Sequence, residues 1–209
     1  VIVIRHPMAG APHMIAKMVS TSVINAGDGM HAHPSQSLLD IMTVREKKGS
    51  LDGLRVAIIG DISHSRVARS NIAGFSKLGA NVILSGPPTM IPKGIEALGA
   101  SVVYNINDAI SGADVVMMLR IQKERQKSFL FPSEREYARF YGLSADKLKN
   151  AKEDVLIMHP GPLNRGVEIA PDVADGPHSI ILEQVTNGVA IRMAMFYLLS
   201  GGVRNADDN

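Results

Sequence analysis

Arginine and histidine side chains recur just after short apolar segments of this 209-residue sequence. Five of these segments are typical of β-strands, and an arginine follows four of the five. Arginine suits forked binding of carboxylate or phosphate, and ligands of open α/β sheets bind beyond the carboxyl ends of the strands. The pattern predicts a cleft for a small polyanion, built without a metal. The residues after these strands that could line it include Arg5, His33, Gln36, Arg66, Arg120, Gln122, Pro160 and Gly161.

A metal site at His31 and His33 is one alternative. Only Asp28 offers a carboxylate at ligand spacing from this pair, and the sequence has no cysteine, so we predict no metal site. His33, which precedes Pro34, is better explained as a helix cap or as a hydrogen-bond donor that points into the cleft. No cofactor is expected.

A serine nucleophile is a second alternative, because Ser63, His64 and Ser65 are adjacent. Residues so close in sequence rarely adopt the required geometry, and no G-x-S-x-G elbow occurs, so helix capping by Ser63 or Ser65 is favoured. Gly60-Asp61 lacks the second and third glycines of the dinucleotide fingerprint, which argues against a nucleotide site.

The composition is that of an ordinary globular protein, with 45% hydrophobic and 20% charged residues. The formal net charge is only +2, so no strong field favours nucleic acid or an anionic membrane. No apolar run approaches the roughly 18 residues of a membrane span, since the nearest, 189–199, is short and carries Arg192. The absence of cysteine excludes disulfides and is consistent with a reducing, cytoplasmic location.

Apolar β-branched segments alternate with amphipathic ones, which predicts a parallel sheet covered by helices on both faces. The predicted strands are 1–4, 22–25, 55–60, 81–85, 101–104, 114–119 and 154–158. The predicted helices are 12–20, 34–48, 65–78, 91–98, 107–111, 132–141 and 179–200. The polar stretch 46–53 separates the helix 34–48 from the next strand, so we expect residues before this helix in one sheet and later residues in another.

The last predicted helix has apolar side chains at roughly helical spacing. They are Leu182, Val185, Val189, Met193, Phe196 and Leu199. A helix this apolar must pack on another element, for which the first sheet is a candidate. At the other end the sequence opens directly on the strand-like Val1-Ile2-Val3-Ile4, without Met or leading polar residues, and we expect it to be part of a longer chain.

Several motifs together resemble the catalytic chains of the aspartate transcarbamoylase (aspartate carbamoyltransferase) family. They are 33–40 (HPSQSLLD), 60–61 with 65–71 (GD and SRVARSN), 119–125 (LRIQKER), 159–168 (HPGPLNRGVE) and 184–194 (QVTNGVAIRMA). The resemblance runs through essentially the whole chain in order. The ornithine-binding pattern of the wider group, a Ser-Met-Gly loop and a His-Cys-Leu-Pro segment, is missing.

The resemblance implies transfer of a carbamoyl group from carbamoyl phosphate to the amino group of L-aspartate. The products would be N-carbamoyl-L-aspartate and phosphate, a step toward pyrimidines. Arg5 and His33 would donate hydrogen bonds to the carbonyl oxygen, and Gln36 would hold the carbamoyl amino group. The departing phosphate can accept the amine proton, so the reaction needs no separate general base.

For the second substrate, the resemblance implies that Arg66 and Arg120 clamp the two carboxylates of aspartate, with Gln122 in support. The backbone carbonyls of Pro160 and Gly161 would orient the carbamoyl amide. Alternatives remain: a non-catalytic fragment that keeps the aspartate pocket as a scaffold, or a transcarbamoylase for another amino acid.

The implied fold class is α/β, with a doubly wound parallel sheet and the C-terminal remnant of a second parallel α/β domain. The implied divisions are a carbamoyl-phosphate domain remnant at 1–35, a connector helix at 36–48, an aspartate domain at 49–178 and a returning helix at 179–209. The implied partners are two further copies in a homotrimer, with a regulatory chain or a dihydroorotase as further candidates. The family's Ser-Thr-Arg-Thr-Arg phosphate loop does not occur here, so we expect these residues alone to be weakly active or inactive.

Overall fold

The structure, a computed structural model, describes residues 1–121 and 133–201. Gln122 and the first residue of the predicted helix 132–141 lie outside the described residues. Within these ranges no helix is long and apolar enough to cross a bilayer.

The described strands form two parallel sheets. The first pairs β1 (Ile2–His6) with β2 (Val23–Asp28). The second has five strands in the order β5-β4-β3-β6-β7. These strands are β3 (Arg55–Ile59), β4 (Asn81–Ser85), β5 (Ala100–Val102), β6 (Val115–Met118) and β7 (Leu156–Met158). The predicted fold class, a doubly wound parallel sheet with part of a second, is confirmed.

The five-stranded sheet is buried on both faces, which explains its uninterrupted apolar strands. On one face Val56 and Ile58 pack with Phe75, and on the other Ala57 and Ile59 belong to a second cluster. The helices that cover the two sheets are α1 (Ala11–Ala16), α2 (Pro34–Lys48), α3 (Arg66–Lys77), α4 (Ile106–Ile110), α5 (Glu134–Tyr141), α6 (Ala145–Leu148), α7 (Pro171–Ala174) and α8 (Ile181–Leu199).

Helix α2 connects the two sheets. Pro34 occupies its first turn, where the missing N–H costs nothing, and Gly49 ends it. Helix α3 follows β3 and is capped by Ser65, whose hydroxyl oxygen accepts the Ala68 N–H at 3.1 Å. The predicted capping role of Ser65 is therefore confirmed.

Some predicted elements are wrong. The helix expected at 91–98 is replaced by one short 3-10 turn, Ile95–Leu98, and a second 3-10 turn, Pro88–Met90, precedes this range. Pro92 cannot donate a helical hydrogen bond and Gly94 is a poor helix former, so the segment does not propagate. The short helices α6 and α7 were not predicted, because each has only four residues and shows no periodicity.

As expected, α8 packs on another element, and that element is mainly α2. Its apolar side chains nevertheless face outward, with Leu182 82% and Met193 66% exposed. The buried side includes polar residues because they bond to α2: Asn187 Nδ2 donates to Thr43 Oγ1 at 3.0 Å and to Glu46 Oε2 at 2.6 Å. We define the apolar stripe of α8 as its exposed residues Leu182, Val185, Val189, Met193, Phe196 and Leu199.

Candidate active site

One cavity of about 440 Å³ collects residues that follow strands of both sheets. Seven of the eight predicted site residues line it, and the eighth, Gln122, lies outside the described residues. The cavity is lined by Arg5, His33, Gln36, Ser65, Arg66, Val67, Leu119, Arg120, Pro160, Gly161, Pro162 and Arg192.

The strand order explains why the cavity forms where it does. The chain runs outward from β3 to β5, then returns to place β6 on the other side of β3. The crevice at such a reversal is the usual ligand position in open α/β sheets. Ser65 and Arg66 follow β3 and Arg120 follows β6, so both segments open onto the crevice.

Asp28 fixes the loop that leads from β2 to His33. Its carboxylate is 1% exposed, and it accepts the Gly10 N–H at 2.7 Å and the Ala32 N–H at 3.1 Å. Burial raises the pKa of Asp28, but hydrogen bonds from Asn25, Gly10 and His31 outweigh it and lower the pKa to about 2. The carboxylate is therefore ionised at neutral pH and holds the loop.

His31 and His33 have different partners. His31 Nδ1 lies 2.9 Å from Asp28 Oδ2, whereas His33 lines the cavity. In the ranges the structure describes, no group of three or more His, Asp or Glu side chains could hold a metal ion. His31 thus belongs to the support of the loop rather than to the cavity.

His33 stands at the N-terminus of α2 without capping it through its side chain. Its N–H donates to Ser70 Oγ at 2.8 Å, which ties the start of α2 to α3. Burial lowers the pKa of His33 to about 4, assisted by the positive charges of Arg66, Arg5 and Arg192. The imidazole is neutral at pH 7 and presents one N–H donor and one acceptor nitrogen.

Arg66 bridges the two sheets. It is the first residue of α3, it is 8% exposed, and its Nη1 lies 3.5 Å from the Gly29 carbonyl oxygen after β2. Gly27 on β2 makes room for it, because a Cβ there would lie 2.7 Å from Arg66 Nε. The guanidinium therefore lies against the first sheet, although Arg66 is on α3, which packs on the second sheet.

The loop after β7 is held by His159 and Glu168, both buried. His159 Nδ1 accepts the Gly161 N–H at 2.9 Å, so the ring proton is on Nε2, which lies 3.3 Å from Glu168 Oε1. The His159 backbone N–H donates to Gln184 Oε1 at 2.9 Å. Pro160 and Gly161 are thereby held at the cavity wall.

Arg192 and Ser65 line the cavity but were not among the predicted site residues. For Arg192 a signal existed, since it is the one charged residue in the apolar segment 189–199. Gly188, one turn earlier on α8, leaves space for it, because a Cβ there would lie 2.5 Å from Arg192 Nη1. The cavity therefore has a fourth guanidinium that the strand-end rule could not find.

The cavity is strongly cationic. Arg5, Arg66, Arg120 and Arg192 line it, and none of the described residues around it is Asp or Glu. A low-dielectric cleft with charges of one sign concentrates ligands of the opposite sign. Fold and cavity together define an α/β protein with a cationic cavity at the junction of two parallel sheets.

Comparison with known protein families identifies the family to which this chain belongs. The Asp/Orn binding domain of aspartate/ornithine carbamoyltransferase matches residues 52–199, and the carbamoyl-P binding domain of the same family matches residues 1–46. The chain belongs to the aspartate/ornithine carbamoyltransferase family. The family and the enzyme class expected from the motifs, a carbamoyl transferase, are thereby confirmed.

Two curated relatives are named aspartate carbamoyltransferase catalytic subunit. The one from Desulfosudis oleivorans is 70% identical over 208 residues, which are 100% of this chain and 67% of the relative. The one from Desulforapulum autotrophicum is 69% identical over 99% of this chain and 66% of the relative. The chain thus spans about two thirds of the length of these relatives.

Solved structures of both substrate types share the fold. Ornithine carbamoyltransferase from Pyrococcus furiosus aligns with a TM-score of 0.83 and 28% identity, over 97% of this chain and 67% of that one. Aspartate transcarbamoylase from Trypanosoma cruzi in complex with N-(phosphonacetyl)-L-aspartic acid aligns with a TM-score of 0.80 and 26% identity, over 93% and 64%.

Proposed function

We propose that this chain belongs to an enzyme that transfers the carbamoyl group of carbamoyl phosphate to L-aspartate, giving N-carbamoyl-L-aspartate and phosphate for pyrimidine synthesis. The observation that carries the proposal is the meeting of Arg5, His33, Arg66 and Arg120 around one cavity. The names of the 60–70% identical relatives support the choice of aspartate.

Arg5 and His33 act on the carbamoyl donor. Both reach the cavity from the first sheet side, and both can donate hydrogen bonds to the carbonyl oxygen as it gains negative charge. The lowered pKa of His33 keeps its ring neutral, so it polarises the carbonyl without carrying a transferable extra proton. Gln36 accepts an N–H of the carbamoyl amino group.

Arg66 and Arg120 bind the carboxylates of aspartate, with Gln122 in support and the carbonyls of Pro160 and Gly161 against the carbamoyl amide. The aspartate amine attacks the carbamoyl carbon, the new C–N bond forms, and the C–O bond to phosphate breaks. The departing phosphate accepts the amine proton. Catalysis then consists of positioning and preorganised electrostatics.

The charge of the cavity favours aspartate over ornithine. A dicarboxylate gains from an additional arginine, whereas a cationic side chain would be repelled by four guanidiniums without a carboxylate among the described lining residues. This observation also argues against a transcarbamoylase for a cationic amino acid.

The assembly belongs to the same proposal. We infer a cytoplasmic homotrimer, with residues 1–35 in the carbamoyl-phosphate domain, 36–48 as the connector, 49–178 as the aspartate domain and 179–209 returning to the first. The relatives are named catalytic subunits, which supports a regulatory chain as partner, with a dihydroorotase as the other candidate. The sequence contains no Ser-Thr-Arg-Thr-Arg phosphate loop, so we expect weak or no turnover from these residues alone.

Calorimetric titration with N-phosphonacetyl-L-aspartate tests the site. Tight binding that is lost in Arg120→Ala supports an assembled two-substrate site. Absence of binding supports the alternative of a non-catalytic scaffold. A substrate panel of aspartate, ornithine and N-acetylated amino acids then tests specificity, and preference for any amino acid other than aspartate would contradict the proposal.

A further inference from the structure

Asp40 is a fully buried carboxylate one helical turn after Gln36 on α2. Its Oδ1 accepts Gln36 Nε2 at 3.0 Å and Gln184 Nε2 at 2.8 Å, and its Oδ2 accepts Asn71 Nδ2 at 2.7 Å. Amides from α2, α3 and α8 therefore converge on a single charge. The catalytic steps described above leave this charge without a role.

An ionised carboxylate can only accept hydrogen bonds, so it decides which end of each amide faces it. The NH2 group of Gln36 must point to Asp40, which leaves Gln36 Oε1 at the cavity. Within the described residues Oε1 accepts no hydrogen bond. A turned Gln36 would instead present two donors to the cavity.

We propose, on the basis of the function proposed above, that Asp40 is a positioning residue that fixes the amide of Gln36 with its oxygen toward the carbamoyl amino group. The match is chemical, because the carbamoyl NH2 is a donor and needs an acceptor at that point. Asp40 itself does not touch the substrates.

The same carboxylate also orients the part of the cavity wall that Pro160 and Gly161 form. Gln184 donates its NH2 to Asp40, and its Oε1 accepts the His159 N–H at the start of the Pro160–Gly161 segment. One atom, Asp40 Oδ1, thus fixes the position of Gln36 directly and that of the Pro160–Gly161 segment through Gln184. A loss of this acceptor releases both together.

Protonation of Asp40 is the natural perturbation. Burial raises the pKa of Asp40, against hydrogen bonds from Asn71, Gln184 and Gln36 that lower it, to about 6. The groups that face the carboxylate are these three neutral amides. Titratable or charged side chains near this end of the packed elements include His33 at the start of α2, Arg66 on α3, Arg192 on α8 and His159 after β7. The same helices also carry Arg45, Glu46, Lys47, Lys48, Arg69, Lys77 and Glu183.

Amide NMR tests the geometry without any substrate. The side-chain NH2 resonances of Gln36, Gln184 and Asn71 should shift together with a midpoint near the Asp40 pKa of about 6, and this shift should vanish in Asp40→Asn. The NH2 of Asn25 is the internal control, because it bonds to Asp28, whose pKa of about 2 leaves it ionised throughout. Side-chain NH2 chemical shifts of Gln36 that do not change between pH 5 and pH 7 would overturn the proposal.

Kinetics test the role. In the complete enzyme, the acid limb of kcat near pH 6 should disappear in Asp40→Asn, because its neutral amide resembles the protonated acid at every pH. The kcat of Asp40→Asn at pH 8 should therefore fall to about the value that the wild type reaches on the acid side of the limb. Asp40→Leu, which has no acceptor, should lower kcat at least about tenfold while the aspartate KM stays within about twofold. In a Gln36→Ala background, Asp40→Leu should lower kcat by a smaller factor than it does in the wild type, because only the Pro160–Gly161 segment is then still released.

Thr43→Val is the matched structural control, since Thr43 is buried on the same helix and also bonds to α8. It should lower the Tm and leave kcat and its pH profile unchanged. An active wild type whose acid limb persists in Asp40→Asn, or effects of Asp40→Leu and Gln36→Ala that multiply, would refute the role of Asp40 alone. A complete wild-type enzyme without activity would refute the proposed function, and the amide titration would still decide the geometry.

Discussion

At the scale of single residues, the cavity depends on guanidiniums whose roles can be separated. In the complete enzyme, Arg120→Ala should raise the aspartate KM about 30-fold or more and change the carbamoyl phosphate KM little, because a charge-assisted fork contributes a few kcal/mol. Steady-state kinetics with each substrate varied in turn measures both constants. Arg120→Lys is the control that keeps the charge and loses the fork, and it should recover only part of the loss. An unchanged aspartate KM would remove Arg120 from the clamp.

His33 should act mainly in the transition state. His33→Ala should lower kcat about 100-fold, with a smaller effect on the KM for carbamoyl phosphate, because an oxyanion donor gains strength as charge develops. Since the pKa of His33 is about 4, its protonation lies below the Asp40 limb, and the limb near pH 6 should persist in His33→Gln. A limb that vanishes in His33→Gln would assign the titration to the imidazole instead.

Seven of the cavity residues could be predicted because strand ends in a parallel sheet share one edge. Arg192 could not, since its position depends on how α8 packs on α2, a contact between segments about 140 residues apart. Asp40 and Asp28 were missed for a related reason. Both carboxylates matter because they are buried and bond to groups from other elements, and a local sequence pattern shows neither property.

At the scale of elements, Gly27 on β2 sets how closely α3 approaches the first sheet. Its φ is +115° and a Cβ would lie 2.7 Å from Arg66 Nε. Gly27→Ala should lower stability by about 1–2 kcal/mol and also raise the aspartate KM, because Arg66 must move. Gly53→Ala is a matched control with φ +75° and no atom within 4 Å of the added Cβ.

The two glycine variants share the backbone strain and differ in the displaced guanidinium. Urea unfolding of both, followed by aspartate kinetics at saturating carbamoyl phosphate, separates the two effects. Equal KM values for Gly27→Ala and Gly53→Ala would show that the approach of α3 does not matter for binding.

The loop after β2 should depend on Asp28 in a pH-dependent way. Asp28→Ala removes a charged acceptor of several hydrogen bonds and should lower the free energy of unfolding by about 2 kcal/mol at pH 7. Because the folded-state pKa is lowered to about 2 from 3.8, this stabilisation is complete above pH 4 and is lost as the pH falls toward 2.

Urea unfolding of wild type and Asp28→Ala at pH 7, 4 and 3 measures this trend. Asp146→Ala is the control, because that carboxylate is exposed and pairs with Lys149 on the surface. A difference between wild type and Asp28→Ala that grows on acidification would contradict the assigned direction of the pKa.

At the scale of the whole molecule, the sequence predicted two parallel sheets joined by α2, and the structure has this arrangement. The strands of the five-stranded sheet were found because burial on both faces leaves a plain apolar signature. The orientation of α8 could not be found in this way. Periodicity shows that the helix has an apolar side, but it does not show that hydrogen bonds to α2 turn this side outward. Hydrophobic pattern and hydrogen-bond pairing compete here, and the pairing to Asp40, Thr43 and Glu46 prevails.

The apolar stripe of α8 should make the 209-residue chain associate in solution. Leu182 is 82% and Val185 65% exposed, and contiguous apolar patches of this kind mark contact surfaces. Sedimentation velocity over a concentration series should show concentration-dependent association, and the double variant Leu182→Gln, Val185→Gln should raise the dissociation constant at least about tenfold, because each buried side chain contributes about 1.5–3 kcal/mol. The pair Leu78→Gln, Leu98→Gln is the control, since these leucines are 46% and 45% exposed but lie outside the stripe. A wild-type chain that stays monomeric at every concentration would show that the stripe alone does not drive association.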